Sequence, residues 1–181
     1  MSLQVIDVRF EHYRDPNTLG VHETNPRISW RLQNAPPKFE QEAYELRITD
    51  QEKQNTSTVR VESSDSSLVA LPEIEPFKSR QRYAVSVRVR GTGHPQSTEW
   101  SEEASLETGL LQRGDWQAKF ISAPWANKGN DKPKPEDLFR KTFSLQQKVE
   151  SARLYITAQG VYEAEINGRR VGDHFLAPGW G

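Results

Sequence analysis

The chain has no cysteine and a single methionine. Without thiols, disulfides and thiolate-held metal centres are excluded. Histidine is scarce. His12, His22, His94 and His174 are scattered without metal-ligand spacing and read as surface or turn residues. No charge of one sign prevails either: 24 Lys and Arg stand against 25 Asp and Glu, a net charge of −1. That balance excludes the clustered basic surface that nucleic acid requires, and it provides no polybasic segment for an anionic membrane. No apolar run approaches the ~20 residues of a membrane-crossing helix. The opening MSLQVIDVRF lacks the basic start and long apolar stretch of a secretory signal, so the expected compartment is the cytosol. On the same ground Asn55-Thr56-Ser57, which fits a glycosylation sequon, is read as a polar loop. A Gly-x-Ser-x-Gly elbow is absent, and the glycines of GTGHP do not stand between a strand and a helix. No cofactor and no metal are expected.

What remains is strand signal. The hydrophobic share is only 34%, which suits thin sandwiches whose strands bury alternate residues. Period-two runs occur at LQVIDVRF, RISWRL, AYELRI, TVRVES, RYAVSVRVRG and ASLETG. The clearest places Tyr83, Val85, Val87 and Val89 on one face, against Ala84, Ser86, Arg88 and Arg90. Turn residues separate the runs, at Asp15-Pro16-Asn17, Ala35-Pro36-Pro37, Asp65-Ser66-Ser67, residues 72–76 and residues 91–95. About seven short strands so spaced predict an antiparallel sandwich. Trp30 is expected to fill the space between its sheets, and Tyr83 to form a tyrosine corner with the preceding connection. Arg27 and Arg31, like Arg88 and Arg90, are expected to lie on a solvated sheet face.

Residues 109–115 form a seam where the strand pattern stops. A Pro/Lys/Asn/Asp-rich loop at 123–137 cannot build a packed core. LFRKTFSL, ARLYITAQG, YEAEING and RRVGDHFL then read as four further strands, with Asn167-Gly168 as a hairpin tip. The expected organisation is all-β: a complete sandwich over 1–111, then an incomplete, jelly-roll-like second sandwich over 112–181.

These residues carry two resemblances. NPRISWRL, KSRQRYAVSVRV and STEWSEEASLETG, in that order, resemble a fibronectin type III domain. SARLYITAQGVYEAEINGRRVGDHFLAPGW resembles the N-terminal β-sandwich domain of α-L-rhamnosidases, glycoside hydrolase family 78. GLLQRGDWQAKFI is similar to that family's joint between its first two domains, and NPRISWRL, QEAYELRIT, KSRQRYAVSVRV and STEWSEEASLETG, in that order, also resemble its first domain, so the resemblance spans the whole chain. It implies a parent enzyme that hydrolyses terminal α-L-rhamnose with inversion. The active site of that enzyme lies in an (α/α)₆ barrel downstream, the expected partner of this region. The barrel has no counterpart here, so no family catalytic residue is carried onto this chain and none is expected in it.

An inverting glycosidase needs two carboxyl groups about 6.5–9.5 Å apart. Glu163 and Glu165 share one strand face, yet Tyr162, Ala164 and Ile166 mark the opposite face as the core side. The pair therefore reads as solvent-facing. For binding a rhamnoside or other glycan, Trp125 in the long loop and Trp180 at the terminus are the candidates, because an exposed aromatic ring can stack on a sugar. Trp30, Trp100 and Trp116 read as structural. The alternatives to the front part of a rhamnosidase are a stand-alone carbohydrate-binding module and a protein-interaction sandwich. Four strands cannot cover both faces of a second sandwich. The apolar side of Leu154, Ile156, Val161, Ile166 and Val171 is expected to lack an opposing sheet, at roughly 1.5–3 kcal/mol per unburied side chain.

Overall fold

The computed structural model describes residues 2–71, 77–93, 96–124 and 136–179. The chain divides into two compact units, Met1–Gln117 and Ala118–Gly181. Among the described residues there is no α-helix.

The first unit has eight strands: β1 (Gln4–Phe10), β2 (Asn17–Val21), β3 (Arg27–Gln33), β4 (Gln41–Asp50), β5 (Asn55–Val61), β6 (Val69–Ala70), β7 (Arg82–Gly91) and β8 (Ala104–Thr108). One sheet has the order β1-β3-β6 and the other β2-β8-β7-β4-β5. All pairings are antiparallel except that of β2, which runs parallel to β8. The six period-two runs all form strands. Two strands carried no such signal. In β2, Leu19 is exposed and Gly20 adopts a φ of +77°, so the segment has no apolar alternation to read. In β6, two residues are too few to show a period.

The inward faces of both sheets build one core, with Phe10, Ile28, Leu46, Val85, Val87 and Leu106 fully buried. Trp30 lies in its centre at 3% exposure, its ring edge-on to Tyr44 at 5.0 Å between centroids. The indole N–H donates to Gln41 Oε1 at 3.1 Å, and Gln41 in turn donates to the carbonyls of Ser63 and Asp65. A buried Trp thus has its one polar atom satisfied. At the bulge where β4 meets the end of β7, Gly91 packs against the Glu40 carbonyl, and any Cβ would overlap that oxygen.

Tyr83 forms the expected corner. Its hydroxyl accepts from Lys78 N–H at 3.2 Å and donates to Gln81 Oε1 at 2.7 Å, and its ring meets Phe77 edge-on. Burial pushes the hydroxyl's pKa above the ordinary range.

The second unit has four short strands: β9 (Gly160–Tyr162), β10 (Glu165–Ile166), β11 (Arg169–Arg170) and β12 (Ala177–Gly179). β9 pairs with β12 and β10 with β11, both antiparallel. The expectation of four longer strands is corrected here. Residues 138–145 and 152–159 are not strands, and RRVGDHFL contributes only its two arginines. Alternation supplies a face, but a strand also needs a paired neighbour, and these segments join no ladder among the described residues. The Asn167-Gly168 turn is present, with φ of +52° and +73°.

Candidate functional site

Both tryptophans proposed to stack on sugar, Trp125 and Trp180, lie outside the described residues. Glu163 and Glu165 are exposed, while Tyr162 and Ala164 between and beside them are half-buried, as their alternation required. Ile166, expected on the core side, is itself exposed. Among the described residues no cluster of three or more His, Asp or Glu could hold a metal.

The arginine stripe is not a merely solvated face. On β3, Arg27 binds Glu11 through two guanidinium nitrogens, with Nη2 at 2.6 Å from Oε2, and its backbone N–H donates to Glu11 Oε1 at 2.6 Å. That arrangement holds the Glu11 carboxyl below its ordinary pKa, against the opposing effect of burial. Arg31 pairs with Asp7 at 2.8 Å. On β7, Arg88 donates to Glu45 Oε2 at 2.6 Å while Ser97 donates to Oε1, and the Glu45 carboxyl is lowered for the same reason. Sequence periodicity gave the face of these arginines but not their partners, because every partner lies on another strand or loop.

Trp100 is the residue that most changes meaning in three dimensions. Residues 98–101 run beside β7 as an irregular extra edge. Thr98 N–H donates to Val89 O and Ser101 N–H to Val87 O, and both hydroxyls accept from the same two β7 amides. This lays the indole against two guanidinium groups, Arg47 at 4.0 Å and Arg88 at 4.5 Å from the ring centroid. A ring engaged by two cations is part of a structural stack, in keeping with its reading from sequence.

The seam folds onto the first unit. Ser79 donates to the Asp115 carboxylate, Gln112 N–H donates to the same carboxylate oxygen at 2.8 Å, and Arg80 donates to the Asp115 carbonyl at 2.8 Å. Thr108 Oγ1 bonds the Lys78 carbonyl and accepts from Gln81 N–H, so the strand leaving the domain is clasped to the tyrosine corner. The bond from Ser79, with that from Gln112, holds Asp115 below its ordinary pKa.

The second unit presents exposed apolar side chains. Leu138 is 93% exposed, and Phe139, Phe143, Leu145, Phe175 and Leu176 are all more than half exposed. The five residues expected to lack an opposing sheet are exposed as well, Leu154 at 48% and Ile156 at 42%. Isolated apolar side chains on a surface need no explanation, but this many in one short unit do. This exposed apolar surface is the candidate functional feature of the second unit.

Residues 5–112 match the model of the Rha78A-like, N-terminal immunoglobulin domain, and residues 147–181 match the α-L-rhamnosidase N-terminal domain. An α-L-rhamnosidase of Formosa agariphila is 33% identical over 91% of this chain and 19% of its own length. The crystal structure of an α-L-rhamnosidase from Aspergillus terreus is 39% identical, with a TM-score of 0.75, over 99% of this chain and 20% of that one. A Streptomyces avermitilis α-L-rhamnosidase, solved in complex with L-rhamnose, is 34% identical with a TM-score of 0.61, over 68% of this chain and 12% of that one. The chain spans about a fifth of the length of the curated relatives it matches. It therefore belongs to the family of Rha78A-like N-terminal immunoglobulin domains, followed here by the start of an α-L-rhamnosidase N-terminal domain.

Proposed function

We propose that this chain is the non-catalytic front portion of an α-L-rhamnosidase, and that its second unit docks on the polypeptide that follows it in such enzymes. The observation that carries this reading is the concentration of exposed large apolar side chains in 118–181, in a chain that covers only 19% of the length of a relative it matches. Hydrolysis of terminal α-L-rhamnose would be the work of that further polypeptide. The first unit would serve as a rigid flank, because its exit strand is clasped by Asp115, Thr108 and Ser79.

The test has two arms. The chain alone is assayed on an aryl α-L-rhamnoside, and residues 1–181 are grafted in place of the matching fifth of the Aspergillus terreus enzyme. No turnover by the chain and an active graft are expected. Turnover by the chain alone, or a folded but inactive graft, would contradict the reading.

A glycan-binding role is the second reading, favoured by the relative solved with L-rhamnose. In it Trp125 and Trp180 would stack on the sugar. L-Rhamnose should then quench tryptophan fluorescence, and the quench should be lost in Trp125→Ala or Trp180→Ala.

A further inference from the structure

Asn167-Gly168 is the chain's only Asn-Gly pair, and it forms the tip of the β10–β11 hairpin. Both residues are exposed and both have a positive φ, as a two-residue hairpin turn requires. With Asn167 in the left-handed region, the nitrogen of Gly168 lies on the far side of the Cα–C bond from the Asn167 side chain. The closed turn thus holds that nitrogen away from the carboxamide. In an open chain the Cα–C bond rotates, and glycine has no side chain to shield its amide.

The chemistry of the open form is self-contained. The Gly168 amide nitrogen attacks Asn167 Cγ. An N–C bond forms, the Cγ–Nδ2 bond breaks, and ammonia leaves with the proton lost from Gly168 N. Water then adds to one of the two carbonyls of the resulting succinimide. One opening gives aspartate and the other isoaspartate.

We propose that Asn167 is a site of spontaneous deamidation whose rate is set by opening of the β10–β11 hairpin. Two residue pairs hold that hairpin, Glu165 with Arg170 and Ile166 with Arg169, extended by Val171 N–H donating to Ala164 O at 2.8 Å. A two-stranded ribbon of this size is marginal in water. Of the four paired residues only Arg170 is not exposed; its guanidinium lies 3.7 Å from the centre of the Phe175 ring. Isoaspartate places an extra methylene in the main chain, so Ile166 and Arg169 no longer face one another across a two-residue turn. The modification is therefore one-way for the hairpin.

The experiment incubates the 181-residue chain at mildly alkaline pH beside a peptide of residues 162–173 and the same chain in urea. Isoaspartate is located by peptide mapping. Asn167 is expected to convert in the folded chain more slowly than in the peptide, but within about tenfold, equivalent to ~1.4 kcal/mol. Urea is expected to raise the rate to that of the peptide. Conversion as fast as in the peptide would show that the hairpin does not gate the reaction. Absence of conversion after the peptide has finished would show that the hairpin does not open. Either result overturns the proposal, as would a Val171 amide that stays protected from exchange while Asn167 converts.

Discussion

Val85, Val87 and Val89 alternate along β7 with the same period as Leu154 and Ile156 along residues 152–159. In the first unit these side chains are at most 1% exposed, and in the second they are 48% and 42% exposed. The local signal is identical and the outcome is opposite. β7 has β4 on one side and β8 on the other, and a facing sheet supplies Phe10, Ile28 and Trp30 to close over its valines. Residues 152–159 form no strand, and Leu154 and Ile156 stay exposed. Alternation specifies which face is to be buried, and tertiary structure decides whether it is.

The sharpest way to break this contrast is to make the same change on both sides. Leu46→Ala removes a fully buried side chain and should destabilise the first unit by about 2–5 kcal/mol. Leu154→Ala removes a half-exposed one and should change stability by no more than about 0.5 kcal/mol. Urea unfolding followed by tryptophan fluorescence measures both. Equal effects would mean that Leu154 is buried in solution.

Smaller effects sharpen the account of the first unit. Tyr83→Phe deletes the hydroxyl that ties β7 to the Lys78 amide and Gln81, and should cost about 0.5–1.5 kcal/mol in the same assay. Acid should act through Glu11 and Glu45. Both carboxyls sit below their ordinary value of 4.5 when folded, each held chiefly by hydrogen bonds from an arginine, Arg27 and Arg88. Their contribution is therefore present above pH ~4.5 and is lost as pH falls through the lowered folded values. Glu11→Gln should flatten that acid limb of the stability profile. A limb unchanged in the variant would remove Glu11 from the account.

Much of the first unit is legible in the sequence because its strands are long enough to show a period. Trp30 and Tyr83 add features whose physical roles do not depend on knowing the neighbours. β2 was not legible, since its pairing with β8 is set by register across almost ninety residues and not by its own apolar residues. Nor were the partners of the arginines: Glu11 meets Arg27, and Glu45 meets Arg88, only once the sheets form. In the second unit the Asn-Gly turn was legible because two residues determine it locally. The extents of the strands were not, because a strand's length belongs to its pair. The exposure of Leu154, Ile156, Val161, Ile166 and Val171 could be read in advance from a count of strands too few for two sheets.

Hydrogen–deuterium exchange resolved by peptide tests the central claim most directly. The account predicts slow exchange across β4 and β7 and near-unstructured rates over residues 138–159 in the same molecule. Equal protection of both segments in the isolated chain would contradict it.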